Sequence, residues 1–426
     1  MFYGQTTLVN VMNKAEYIKS LSKIKVIIGN GFDLHCGLHT TYSDYYCKNY
    51  KKYLFIQNLY SKYEETDELN LDFQDSKINL LNVWDVFFAL NSSKNPKECK
   101  QQWCDIEKLM LSSLMPYEEP DKDTKVFALG LFSKIHWRLI SKHVSLNQLA
   151  TSHVDRFVVK FVKGKMDYKE IHYGDFYKFL LSELKDFEHN FGEFIYWQLH
   201  VSYYERINYG QIFLNTAYIE MAIDTLDELC NKDNLVGIDS FNYSYIHTEK
   251  MCDLIQHING SYENPIFGID TVFEPSDVCF PFTKTGRRID SDMFDESFDS
   301  KPDFDNVIVF GHSLDESDYS YFFPVFDKLN LTDSVAKNVV VFAYSVFNKD
   351  KEETIKANLR QAISNIMLAY AKSKNVTDPK RFLDSLSTQK RIITYEVPVL
   401  NRRNYQYSLI DQDWDKLYKE IDALNL

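Results

Sequence analysis

Three short segments of this chain place glycines and polar side chains where an apolar run stops. The first is Val26-Ile27-Ile28-Gly29-Asn30-Gly31-Phe32-Asp33-Leu34. A ligand phosphate reaches backbone N–H groups only where no Cβ blocks it, so Gly29, Asn30 and Gly31 are candidates for cradling a nucleotide phosphate. A tight strand-to-helix turn without a ligand is the alternative, because the dinucleotide fingerprint is incomplete: Leu34 holds the place of its third glycine. The second segment is Ser240-Phe241-Asn242-Tyr243-Ser244, followed by His257-Ile258-Asn259-Gly260. Asn242 can donate and accept in fixed directions, which suits it to hold a water or a ribose hydroxyl, or simply to build a turn. His257 reads either as a general base near neutral pH or as a structural histidine. The third, Val309-Phe310-Gly311-His312-Ser313-Leu314-Asp315-Glu316-Ser317-Asp318, repeats the strand-then-glycine design. There Gly311 and Ser313 would let backbone and hydroxyl approach a ligand.

Other chemistries fit less well. A serine nucleophile elbow at Ser313 would need a small residue at position 315, which is Asp, and a later histidine, and none follows His312. No His-Glu-x-x-His and no paired Cys/His spacing is present, so no metal is expected. One Arg138–His143 pair has the spacing of a ribonuclease signature, and chance supplies about one such pair in a chain of this length.

The elements that must position these residues are strands separated by helices. Apolar runs at Ile24–Ile28, Leu235–Phe241, Leu254–Ile258, Pro265–Gly268, Val307–Phe310, Val339–Phe342 and Ile392–Val397 read as strands covered on both faces. They imply an α/β fold: a doubly wound, mainly parallel, Rossmann-like sheet. Between residues 38 and 230 the pattern is helical, as in Phe176–Leu199, whose apolar residues recur at three- and four-residue steps. That block is too long for one crossover helix. It reads as a large helical insertion, residues 38–230, in a nucleotide-binding α/β domain formed by residues 1–37 and 231–426. Asp67–Asn95 and Pro116–Lys125 read as polar punctuation, and the acid-rich Asp290–Asp305 as a solvated loop. Helices are expected at Lys349–Lys374 and Asp413–Leu426.

A net charge of -13 over 426 residues argues against general attraction to nucleic acid. Seven cysteines without a Cys-x-x-Cys pair fit a reducing compartment. No apolar run approaches the roughly eighteen residues of a membrane span, and Met1–Asn13 lacks the pattern of a secretion signal. A cytoplasmic protein is expected.

Taken together, the segments resemble the AbiH family of phage abortive-infection proteins. The resemblance is carried by Ile27–Leu34 with Gly37, Leu38 and Thr40, by Phe241–Ser244, by His257–Gly260, and by Gly311–Leu314 with Asp318. That family is in turn similar to sirtuin-like NAD-consuming domains. The resemblance implies a sirtuin-like sheet with NAD as ligand or substrate across its C-terminal strand ends. The pyrophosphate would rest on Gly29, Asn30 and Gly31, the nicotinamide riboside near Asn242, and the adenosine ribose near Gly311 and Ser313. Phe32, Asp33, Asn259, Gly260, His312 and Asp318 would complete the binding set. Asn242 would orient the attacking water. Asn259 occupies the place of the family's usual histidine, and His257, on the same face of the strand, would stand in for it. The implied role is an abortive-infection effector that hydrolyses NAD to nicotinamide and ADP-ribose, its helical insertion serving as sensor or assembly surface. A phage trigger and a second copy or a second defence protein would be its partners. The alternative is a nucleotide-binding regulatory module of a defence system without NAD turnover.

Overall fold

The computed structural model describes residues 13–66, 78, 80–91, 103–114, 131–132, 135, 152–166, 175–200, 216–246, 254–269, 278–290 and 303–399. Among these residues six strands form one sheet: β1 (Ile24–Ile28), β2 (Leu235–Ser240), β3 (Ile255–His257), β4 (Asn306–Phe310), β5 (Val340–Tyr344) and β6 (Ile392–Glu396). Every pairing is parallel and the order is β3-β2-β1-β4-β5-β6. That is the doubly wound order in which the chain works outward from β1 on one side and from β4 on the other. The expected α/β, Rossmann-like architecture is therefore present.

Alternation along the strands feeds two apolar layers. Ile24, Val26 and Ile28 of β1, with Ile308 and Phe310 of β4, belong to a cluster that continues into the helices between residues 42 and 230. Ile27, Val307, Val309, Val340 and Phe342 point the other way. There they meet α11 (Tyr319–Lys328), α12 (Glu352–Ser373) and α13 (Pro379–Thr388), through Phe322, Phe326, Ile366, Met367 and Leu386. β1 and β4 are buried along their whole length, which explains why all of their residues but Lys25 and Asn306 are apolar.

Before β1 lies α1 (Lys14–Lys19), and after it α2 (Asn30–His35). The named elements between α2 and residue 230 are all helical: α3 (Tyr42–Lys48), α4 (Tyr50–Thr66), α5 (Val83–Asn91), α6 (Trp103–Leu114), α7 (His153–Lys165), α8 (Asp175–His200) and α9 (Thr216–Leu229). The long α8 is apolar enough to be a core helix, yet it buries two glutamates. Glu183 accepts from the Val83 N–H (2.7 Å) and from Lys165 Nζ (2.9 Å). Glu188 accepts from the Phe267 N–H (2.7 Å) and from Arg287 Nη2 (2.6 Å), tying α8 to the segment that leads into α10 (Lys284–Asp290). Among the described residues no helix is long and apolar enough to cross a membrane.

Several sequence expectations are corrected. Pro265–Gly268 is not a strand; the chain there makes only an isolated bridge from Ile269 to Thr283. Proline removes a ladder donor, and a Cβ on Gly268 would lie 2.9 Å from the Lys284 nitrogen, so this stretch packs against the 282–284 backbone instead. Val83–Asn91, inside the stretch expected to be polar, is a helix whose Trp84 and Phe88 are fully buried. The helix expected at Lys349–Lys374 is α12, one short turn later in starting. Asp413–Leu426, Pro116–Lys125 and most of Asp290–Asp305 lie outside the described residues.

Candidate functional site

Register brings the three sequence segments together. Ile28 pairs with Ser240 on one side and with Phe310 on the other, so β1, β2 and β4 end level. Gly29, Phe241 and Gly311 therefore leave the sheet side by side, at the point where the strand order reverses. In open α/β sheets this is where ligands bind. A cavity of about 340 Å³ lies there, walled by residues from all three loops together with α6 and α10.

The glycines are used differently from the expectation. The Gly29 N–H donates to the Phe310 carbonyl (2.9 Å), the Gly31 N–H to Gly311 (2.8 Å) and the Phe32 N–H to Gly29 (2.8 Å). A Cβ on Gly29 would lie 2.7 Å from His312 Cα, and one on Gly31 would lie 2.7 Å from Gly311 Cα. Gly311 has φ +66°, a conformation that favours glycine, and its own added Cβ would meet the Phe32 nitrogen at 2.4 Å. Glycine is needed at these places because two strand-end loops abut backbone to backbone. The amides of Gly29 and Gly31, expected to be bare for a diphosphate, are spent within the protein, although both residues border the cavity.

Asn242 follows β2 and is nearly buried. Its Nδ2 donates to the Gly29 carbonyl (3.0 Å) and to Asp33 Oδ1 (2.9 Å). Both donors are thus committed, which fixes the amide's orientation. Its Oδ1 has no partner among the described residues, and the side chain lines the cavity. Asp33, on α2, is the anchor beneath it. Its Oδ1 also accepts from the hydroxyls of Tyr218 (2.8 Å) and Ser244 (2.8 Å), and Thr40 Oγ1 stands 3.2 Å from its Oδ2. Burial raises the Asp33 carboxyl to about 6 against the pull of these donors.

The opposite wall is charged. Lys284, at the start of α10, is fully buried between two carboxylates. Its Nζ lies 2.6 Å from Asp318 Oδ1 and 2.9 and 3.0 Å from the two carboxylate oxygens of Glu107, on α6. The Ser317 hydroxyl donates to Glu107 Oε2 (2.9 Å). Burial pushes the Glu107 carboxyl up, Lys284 only partly offsetting it, whereas for Asp318 the nearby Lys284 and His312 outweigh burial and hold it below the usual range. The Leu314 N–H donates to His312 Nδ1 (2.9 Å), so the neutral ring carries its proton on Nε2, 3.5 Å from Asp318 Oδ2. Burial lowers that imidazole to about 4. Of the described residues around the cavity, Lys284 is the one with a permanent positive charge, against the carboxyls of Asp33, Glu107 and Asp318. No group of three His, Cys, Asp or Glu side chains suited to a metal ion occurs among the described residues.

Of the residues singled out from sequence, Gly29, Asn30, Gly31, Asp33, Asn242, Asn259, Gly311, His312, Ser313 and Asp318 line the cavity. Three do not. Phe32 is core, edge-on to Phe310 at 5.6 Å. Gly260, at φ +79°, makes a turn so tight that a Cβ would lie 2.0 Å from the Asn264 carbonyl oxygen. His257 stacks on Tyr245 at 5.2 Å with Nδ1 3.3 Å from the Asn242 carbonyl, outside the cavity walls, so the structure does not put it in place of a catalytic base. Asn259 does border the cavity, but its Oδ1 is occupied by Arg288 Nη2 (3.1 Å). Sequence reading missed Lys284, which sits in no recognisable pattern, and Tyr218, which lies within an ordinary helical stretch. Glu107 was visible only as the end of Trp103-Cys104-Asp105-Ile106-Glu107, with nothing local to give it a partner.

A family model described as bacteriophage abortive infection AbiH matches residues 26–344, which include every wall of the cavity. No curated protein and no solved structure matches the chain.

Proposed function

The chain belongs to the bacteriophage abortive infection family AbiH, which indicates a role in phage defence, and we propose that it acts there by cleaving the nicotinamide–ribose bond of NAD in the cavity at the sheet's switch point. The observation that carries this reading is the cavity's charge. Three buried carboxyls face it against one ammonium, and Asn242 offers it a free carbonyl oxygen. NAD brings a cationic pyridinium, and breaking its glycosidic bond builds positive charge on the ribose. A preoriented acidic wall stabilises that charge as it develops. The sheet order is the one that binds dinucleotides across this crevice.

The same observation repositions the ligand. With the Gly29 and Gly31 amides spent, an acidic pocket is a poor seat for a diphosphate and a good one for the nicotinamide riboside end. The diphosphate then leaves toward the exposed Ser313 side of the opening. Asn242 Oδ1 accepts a hydrogen bond from the attacking water or from a ribose hydroxyl, holding the reacting atoms in line. The helices between α2 and β2 supply the surface on which a phage trigger, a second copy or a second defence protein would act.

Incubating the purified full chain with NAD, with and without lysate of phage-infected cells, and following free nicotinamide tests the proposal. Release by the wild type and its loss by about a hundredfold or more in Asn242→Ala is the expected result. NAD that binds and stays intact under both conditions assigns the protein to nucleotide binding without turnover.

A further inference from the structure

We infer that Asn259 is the residue that selects the ligand's leaving group, its side-chain Nδ2 donating a hydrogen bond to the carboxamide oxygen of the pyridinium ring. The inference rests on the reading that this cavity cleaves a nicotinamide–ribose bond. What carries it is the way two asparagine amides, at the ends of β2 and β3, are turned.

The protein holds one end of each amide and leaves the other for a ligand. Arg288 Nη2 stands 3.1 Å from Asn259, and a guanidinium only donates, so the atom facing it is Oδ1. Arg288 is itself braced through Nε on the Ile258 carbonyl (3.0 Å). Asn259 Nδ2 therefore points away from Arg288, with no partner among the described residues. Asn242 is turned the opposite way. The Gly29 carbonyl only accepts, and it takes Asn242 Nδ2 at 3.0 Å, which leaves Oδ1 open. Both side chains line the cavity, and neither open atom is among the sealed, unpartnered polar atoms of the described core. Ser240 pairs with His257 in the parallel register of β2 and β3. Asn242 and Asn259, each two residues farther on, thus leave neighbouring strands level with each other. The site offers an acceptor and, on the order of a strand spacing of about 4.8 Å away, a donor.

The order of the strands says which ligand group meets that donor. Around the cavity it runs β3, β2, β1, β4, carrying in turn Asn259, Asn242, the Gly29–Gly31 turn and Ser313. With the ribose at Asn242 and the diphosphate leaving toward Ser313, the pyridinium ring extends the other way, over the end of β3. Phe241 and Tyr243, on either side of Asn242 in the chain, line the same cavity and give a cationic ring aromatic surface. The carboxamide of that ring projects sideways from the bond to be broken, and its oxygen needs a donor. The ionised carboxyls of the cavity only accept, and Lys284 is held between two of them. Asn259 Nδ2 is the donor at the β3 end, and Arg288 is the positioning residue that keeps it facing the ligand.

The test compares the KM of the full chain for NAD and two analogues, followed as release of the free base. The 3-acetylpyridine form keeps the carbonyl oxygen and loses the amino group; the pyridine form loses both. The wild type should take the acetyl form with a KM within about threefold of that for NAD, and the pyridine form with one about 10–100-fold higher, because a buried donor is then left without its acceptor. Asn259→Ala should raise the KM for NAD by a similar factor, more than it lowers kcat, and erase the difference between NAD and the pyridine form. Asn259→Asp keeps the shape and the Arg288 contact, but its carboxylate has no donor, so it should lose the same discrimination. A wild type that cleaves NAD and the pyridine form with equal KM overturns the assignment and leaves NAD cleavage standing. So do Asn259 variants, shown folded by thermal unfolding, that still tell the two apart. A wild type that never releases nicotinamide overturns both readings.

Discussion

Replacing Gly31 with alanine separates two accounts of the first motif. If the glycine exists to admit a phosphate, the ligand-free protein should tolerate a methyl group there. The structure says otherwise. The new Cβ would stand 2.7 Å from Gly311 Cα and 2.9 Å from the Gly311 carbonyl oxygen, both backbone atoms that no side-chain rotation can move. Relief requires the two loops to part, which stretches the Gly31 N–H to Gly311 carbonyl bond of 2.8 Å. Overpacking of this kind costs about 1–3 kcal/mol. Weakening one buried backbone hydrogen bond adds about 1 kcal/mol. Gly31→Ala should therefore destabilise the ligand-free protein by about 2–4 kcal/mol in urea unfolding. Gly311→Ala presses on the same contact from the other side and adds strain at positive φ, so the double variant should lose less than the sum of the singles. A Gly31→Ala protein within about 0.5 kcal/mol of wild type, but with weakened nucleotide binding, would refute the loop-packing argument and restore the phosphate cradle.

Three further outcomes follow from the buried groups. Lys284→Met strands two carboxylates without a cation and should cost about 3–5 kcal/mol, while the triple variant Lys284→Met, Glu107→Gln, Asp318→Asn should recover most of it; a single variant as stable as wild type in thermal unfolding refutes the buried cluster. Asp33 keeps its proton in the folded protein up to about 6, whereas the unfolded chain releases it near 3.8. The folded state then binds more protons in that window, so this group lowers stability as pH rises from about 4 to 6, and the stability of Asp33→Asn should rise more steeply with pH there than that of the wild type. His312 acts in the opposite sense: its folded value of about 4 lies below the ordinary 6.5, so its contribution rises with pH between those values and should disappear in His312→Asn.

Much of the fold is legible in the chain because burial on both faces leaves a local trace. Strands β1, β4 and β5 are rich in Val, Ile and Phe, interrupted by Lys25 in β1 and opened by Asn306 in β4, and the glycines and polar residues that follow them mark where they stop. Composition misleads where it averages over distance. Val83-Trp84-Asp85-Val86-Phe87-Phe88-Ala89 is an obvious apolar helix once isolated, but it is flanked by polar stretches that hide it. Pro265-Ile266-Phe267-Gly268 has the apolar content of a strand, yet Phe267 is buried edge-on against Phe187 and Phe191 rather than on a ladder. In the site, sequence locates the glycines but not what demands the space above them. A ligand and a second loop leave the same signature, and Gly31 and Gly311 meet only through the register of β1 on β4. Glu107, Lys284 and Asp318 are a pairing of distant residues with no periodicity, so nothing local announces it.

The placement of β1 at the middle of the sheet has a consequence for synthesis. Ile24 pairs with Leu235 on one side and Asn306 on the other, so β1 is bordered by strands that leave the ribosome more than two hundred residues after it. At about 5–20 residues per second, roughly 15–60 s separate the emergence of β1 from that of β4. Meanwhile the intervening helices, rich in local contacts, can pack, while the strand at their head waits with both edges open. Any product terminated before Asp318 lacks the carboxylate that holds Lys284 at 2.6 Å, and with it part of the cavity's charged wall. Translation thus completes the reactive part of the molecule late, and a broken message yields no working fragment of it.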